Sequence, residues 1–174
     1  MPNWCSCRAT ISGPAPVIQE ITDILNEEST PLLAWMVPQP KFQGDQDWYS
    51  WNVNNWGTKW DVSDVYFQHQ AEEDQIQFSF STAWGPPVEA FTRWAESDGR
   101  VQFVLEYWEP GMGFAGRTEW DGASLSDDHR DLQTDPQGYR DLAAEVFGYV
   151  EDEEPEPLTE WYKAGVEEKG LELK

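Results

Sequence analysis

Residues 74–82, Asp-Gln-Ile-Gln-Phe-Ser-Phe-Ser-Thr, alternate polar and apolar side chains from Gln75 to Ser81. A period of two places Ile76, Phe78 and Phe80 on one face of a strand and Gln77, Ser79 and Ser81 on the other, so the strand is buried on one side only. Pro86 and Pro87 follow and open a helix through about Ser97, with Val88, Phe91, Trp94 and Ala95 as its apolar stripe and Asp98-Gly99 as its stop. Arg100 to Trp108 alternates again, through Val101, Phe103, Leu105 and Tyr107. A half-buried strand, a helix and a second such strand point to an antiparallel sheet covered by helices on one face.

The segments before this core repeat the arrangement. Residues 3–12 read as a strand ended by Ser12-Gly13-Pro14, and Val17, Ile18, Ile21, Ile24 and Leu25 then recur at helical spacing. Residues 30–47 hold three prolines and a glycine and are expected to form a long packed loop pinned by Leu32, Leu33, Trp35, Met36 and Phe42. A short helix is expected at 47–55, ended by Gly57, and a strand at 59–69 pairs with 74–82 as a hairpin.

Beyond Trp108, Pro110-Gly111 turns the chain into a further strand at 113–121. The polar stretch 124–137 has no periodicity and is read as a loop. Tyr139, Leu142, Ala143, Val146 and Phe147 mark a helix, Glu151 to Glu156 a linker, and 157–169 a last short helix.

The order strand, helix, strand, strand, helix, strand is that of the ferredoxin-like fold, βαββαβ. The expected class is therefore α+β: an antiparallel sheet with two helices on one face, plus a C-terminal hairpin strand and helical extension. Residues 1–122 are expected to form the core. Residues 123–174 form an acidic, largely helical extension packed on it.

Charge narrows the function. The chain carries 33 acidic and 11 basic side chains in 174 residues, a formal net charge of -22. Such a surface repels nucleic acid and anionic lipid, so direct nucleic-acid binding is not expected. The excess grows toward the C-terminus. Adaptation to salt, a partner-directed acidic face and a merely solubilising tail all remain open as its cause. No leader segment and no apolar run of membrane-spanning length is read in the sequence, so a soluble intracellular protein is expected. Cys5 and Cys7, two apart on a strand, read as buried small hydrophobes rather than half of a metal site.

The chemistry-bearing residues give no reaction. Asp127, Asp128, His129, Asp131 and Asp135 are rich in oxygen ligands, but their spacing fits no calcium loop, and a solvated loop is the preferred reading. His69 stands near no nucleophile. Arg8 and Glu106 are expected to share the sheet face away from the helices. Lys59 and Asp61, two apart, are expected to form an ion pair, with Glu109 and Glu106 as weak acid-base candidates. Gly111, Gly113 and Gly116 read as a hairpin turn. No catalytic residue, metal or cofactor is assigned.

Eleven tryptophans stand out, four of them at 48, 51, 56 and 60. Trp and Tyr at a partly exposed rim are typical of binding surfaces, while the alternative places these rings in the core. The binding candidates are Trp51, Asn55, Trp56, Lys59, Trp60, Asp61, Trp84, Tyr107 and Glu109.

Four blocks occur in order: Met1-Pro2-Asn3-Trp4-Cys5; Asn55-Trp56-Gly57-Thr58-Lys59-Trp60-Asp61; Phe80-Ser81-Thr82-Ala83-Trp84 with Pro86-Pro87; and Tyr107-Trp108-Glu109-Pro110-Gly111 with Phe114 and Gly116. With them the chain resembles the YubB-like family of small phage and plasmid proteins over residues 1–120, departing from its pattern at Cys7, where the family has Asn. The resemblance implies a ferredoxin-like domain in an accessory protein of a mobile element, and carries no established reaction.

The leading expectation is a non-enzymatic protein of a phage or other mobile element in the host cytoplasm. It would bind a host or viral protein, a basic one in the specific version, and counter host defence through an acidic surface that mimics nucleic acid. The alternative is a nucleotide- or small-molecule-binding protein, or hydrolase, with a pocket lined by Trp51, Trp56, Trp84 and Tyr107. A homo-oligomer built on exposed aromatics is the third.

Overall fold

The computed structural model describes residues 3–27, 31–42, 47–67 and 73–149. The expected linker at 151–156, the last helix at 157–169 and His69 lie outside them. The described elements are β1 (Trp4–Ser12), α1 (Ala15–Leu25), α2 (Leu32–Met36), α3 (Trp48–Trp56), β2 (Ser63–Phe67), β3 (Gln75–Ala83), α4 (Val88–Asp98), β4 (Gln102–Glu109), β5 (Phe114–Trp120), β6 (Leu125–Asp131) and α5 (Pro136–Phe147).

One antiparallel sheet runs β2-β3-β1-β4-β5-β6. Its first four strands, with α1 and α4, are the ferredoxin-like βαββαβ unit that the element order predicts. The face carrying Cys7, Ala9, Ile11, Ile76, Phe78, Phe80, Phe103 and Leu105 is buried beneath α1 and α4. Phe80, Phe91 and Phe103 touch in sequence across it, with centroids 6.2 and 5.5 Å apart. The α1 stripe Val17, Ile18, Ile21, Ile24 and Leu25 is buried as its spacing requires. Burying side chains of this size contributes about 1.5–3 kcal/mol each.

The opposite face is polar, and α5 covers part of it. Trp108, on that face of β4, donates its indole N–H to the Tyr139 hydroxyl at 2.7 Å and packs against Phe147 and Tyr149. Glu106 is buried there between two guanidiniums, Arg8 at 2.7 Å and Arg117 at 2.6 Å. The shared placement of Arg8 and Glu106 follows from strand alternation.

Two segments differ from expectation. The 30–47 stretch contains α2, a helix that the prolines around it conceal. Its first turn is capped from a distance: Asp61 accepts the amides of Leu33 and Ala34 at 2.8 and 2.9 Å. The stretch 124–137, expected as a loop, supplies β6, a seven-residue run paired with β5 along its whole length. It sits at the sheet edge, where charged side chains are tolerated because neither face must be buried. Within residues 123–149, β6 extends the sheet and α5 covers part of its polar face.

Gly57 closes α3 with φ +84°, and a Cβ there would stand 2.1 Å from Glu89 Oε2 and 2.8 Å from the Pro86 carbonyl. Only glycine fits this turn. It swings the following residues from α3 toward the end of β3, where Thr58 is buried with its hydroxyl on the Ala83 carbonyl.

Candidate functional site

The tryptophan block divides in two. Trp56 is 3% exposed and donates its indole N–H to the Val37 carbonyl at 2.9 Å. Trp51 packs edge-on against it and against Phe42. Asn55, expected at a binding surface, turns its amide back to the Trp51 carbonyl. Buried Asn52 bridges to the Lys59 carbonyl at 2.7 Å and ties α3 to the loop that follows it. These residues are the framework.

The rest of the block is outside. Trp4, Trp48, Tyr49, Trp60 and Trp84 are 44, 42, 40, 39 and 37% exposed. They form a continuous surface: Trp4 meets Trp60 at 6.3 Å, Tyr49 meets Trp84 at 6.0 Å, and Trp48 meets Tyr49 at 6.2 Å. Lys59 joins the two halves, its ammonium 4.4 Å from the Trp60 centroid, 5.0 Å from Trp84 and 5.8 Å from Tyr49. Each such contact is worth about 0.5–1 kcal/mol at an exposed site.

Four elements supply this platform: β1 gives Trp4, α3 gives Trp48 and Tyr49, the α3–β2 loop gives Lys59 and Trp60, and the end of β3 gives Trp84. Sequence reasoning missed Trp4, Trp48 and Tyr49 as site residues. Their grouping depends on Tyr49 of α3 meeting Trp84 and on Trp60 of the following loop meeting Trp4, which no local pattern encodes.

Trp84 has φ +70°. A bulky side chain in the left-handed region costs roughly 1–2 kcal/mol. The strain is held by the Trp84 backbone N–H, which donates to the Asn3 carbonyl at 2.9 Å, and by the Thr82 hydroxyl, which donates to the Gly85 carbonyl at 2.8 Å. Trp84 is strained, exposed and outside the core cluster.

Asp61 is not the partner of Lys59, as the spacing had suggested. Its carboxylate is taken up by the amides of Leu33, Ala34 and Val62, with the distant helix end outcompeting the neighbour in its own loop. Burial raises its pKa above the ordinary 3.8, outweighing the amides that lower it. Glu109 is likewise structural: buried, it accepts the amides of Gly111 and Met112 and fixes the β4–β5 turn.

Tyr107 lies on the helix side of β4. Its ring crosses Gly116, where a Cβ would stand 2.2 Å from the ring, and its hydroxyl meets His129 Nδ1 at 3.2 Å and Asp127 at 3.4 Å. A cleft of about 410 Å³ opens there, bordered by Gly57, Pro86, Val88, Glu89, Leu125 and Asp127. Of the four aromatics expected to line one pocket, Trp51 and Trp56 pack together in the framework, Trp84 stands on the platform, and Tyr107 borders this cleft. The five polar residues of 127–135 are divided as well. Strand alternation sends Asp127 and His129 to this side, while Asp128 and Asp135 bind Arg130.

The fold and the exposed aromatic surface define a ferredoxin-like α+β domain with an aromatic patch outside its core. Residues 55–150, more than half of the chain, match the family model described as the ferredoxin-like domain in Api92-like proteins, and the chain belongs to that family. It is similar to the crystal structure of the protein api92 from Yersinia pseudotuberculosis, with a TM-score of 0.54 and 10% identity over 75% of this chain and 98% of that one. At that identity the likeness speaks for the fold. The search of curated proteins finds no match. Among the described residues no helix is long and apolar enough to cross a membrane.

Proposed function

We propose that this chain is a non-enzymatic binding protein whose aromatic platform docks a protein partner. One observation carries the reading: five contiguous exposed aromatics, one held in strained backbone, lie outside the core cluster, and three of them surround a lysine. A patch of Trp and Tyr with a cation at its centre has the composition of interface hot spots.

The net charge of -22 favours a basic partner and speeds its encounter at low salt. The resemblance to YubB-like phage and plasmid proteins supports an accessory role for a mobile element in the host cytoplasm. In that setting a partner accustomed to nucleic acid, such as a host defence factor, would meet a surface of phosphate-like charge.

The test is retention of a stoichiometric partner from host lysate on the tagged protein at low and high salt, beside a Trp60→Ala, Trp84→Ala variant that keeps its thermal midpoint. Partner loss with the variant at both salts supports docking through the platform. Equal retention by both proteins moves the interface elsewhere.

A further inference from the structure

The ammonium of Lys59 has three aromatic rings within 5.8 Å and, among the described ion pairs, no carboxylate. That is unusual in a chain with three times as many acidic as basic side chains. Several ring faces converging on one ammonium is the arrangement by which proteins recognise organic cations, because each face presents the negative part of the ring quadrupole. The site that Lys59 occupies is therefore shaped and charged for a cation. Lys59 fills it from a flexible four-carbon stem, which can leave without moving the backbone.

We propose that Tyr49, Trp60 and Trp84 form a cage for a lysine-type ammonium of a partner protein, and that Lys59 is an internal plug which the partner's cation displaces. The inference rests on the protein-binding reading and names the chemistry by which the partner is recognised. The ligand is cationic because ring faces repel anions and the field of a -22 chain concentrates cations at the surface. It belongs to a protein because the aromatic surface continues past the cage on both sides, to Trp4 beyond Trp60 and to Trp48 beyond Tyr49. A free small cation has no use for that rim.

The plug lowers the apparent affinity for any outside cation by the fraction of time the cage is closed. Removing it should open the site. The experiment titrates tetramethylammonium, and separately Nα-acetyl-lysine methylamide, into the wild type, Lys59→Ala and Lys59→Gln, following tryptophan fluorescence and the indole N–H signals of Trp60 and Trp84 at constant ionic strength. Saturable binding several-fold tighter in both Lys59 variants, abolished when Trp60→Ala is added, is the expected result. Equal affinity with and without Lys59 overturns the plug, and absence of saturable binding in the opened variants overturns the cage.

The lysate partner separates this inference from the broader one. If that partner is lost on Lys59→Ala while neither cation binds, the platform still docks a protein, Lys59 is a direct contact, and the cage is wrong. If the opened cage binds both cations but no partner depends on Trp60 and Trp84, the cage stands and protein docking fails. Tighter retention of the partner by Lys59→Ala supports both.

Discussion

Trp56 and Trp60 stand four residues apart in one block, yet they belong to different parts of the molecule. Trp56 is enclosed and gives its N–H to Val37; Trp60 lies across Lys59 with more than a third of its surface in water. Burying a ring of this size is a large stabilising contribution, so Trp56 is explained by folding. Trp60, Trp84, Tyr49, Trp48 and Trp4 receive less of that benefit, and Trp84 adds backbone strain. Residue type alone does not separate framework from surface here. The partner of each ring does.

The sharpest way to break this comparison is to truncate both rings. Trp56→Ala should cost about 3–5 kcal/mol of stability through the cavity left beside Trp51 and the unpaired Val37 carbonyl. Trp60→Ala should cost under about 1 kcal/mol, as expected of exposed positions, while weakening a platform-bound partner by about 2 kcal/mol or more. Urea denaturation of both variants measures the first two quantities, and calorimetry with the partner the third. Comparable stability losses would place Trp60 in the framework.

Asp61 sharpens the boundary from the framework side. Replacing it with Ala removes the acceptor for three amides, and a loss of about 1–2 kcal/mol is expected, at the upper end of helix-capping effects because the site is largely buried. Lys59→Ala, two residues away, should cost about 1–2 kcal/mol through its three ring contacts, with nothing further if the two do not pair. A double-mutant cycle measured by urea denaturation should give a coupling near zero. Coupling comparable to that of a buried ion pair would restore the bond that the sequence spacing suggested.

That mistaken pairing illustrates which features were legible. The α1 stripe and the strands of the βαββαβ unit could be read because each buries one face, and burial writes a period into the sequence. β6 could not be read, since Leu125–Asp131 at a sheet edge has no face to bury and is held by its backbone ladder to β5. α2 was hidden because its cap, Asp61, is 28 residues from Leu33. The candidate site was half legible: Lys59, Trp60 and Trp84 belong to it, whereas Trp51, Asn55, Trp56, Asp61 and Glu109 serve the framework. Nothing local marks Trp4 or Tyr49, because the platform is assembled only when Tyr49 of α3 meets Trp84 and Trp60 meets Trp4.

Trp84 offers a test in which stability and binding part company. At φ +70° glycine is unstrained, so Trp84→Gly should be more stable than Trp84→Ala by about 1 kcal/mol, against the usual order for an extended or helical site. Both variants should lose the partner equally, since both lack the ring. Thermal unfolding ranks their stability. Alanine ranking above glycine would remove the backbone strain from the account of why this tryptophan is held outside.

The smallest effect concerns an aromatic that belongs to the framework but carries a titratable group. Burial of Tyr107, then the charge of Asp127, push its hydroxyl well above the ordinary 10.0. In the folded chain it keeps its proton at a pH where the unfolded chain has released it. Its contribution is therefore fully present below pH 10 and is lost as pH rises from there toward the raised folded value. Tyr107→Phe should abolish that alkaline loss, flattening the dependence of urea stability between about pH 9 and 11 while leaving the acid side unchanged. An unaltered slope would mean that the hydroxyl is solvated like that of an exposed tyrosine, and the cleft beside Asp127 and His129 would then be open to water down to the sheet.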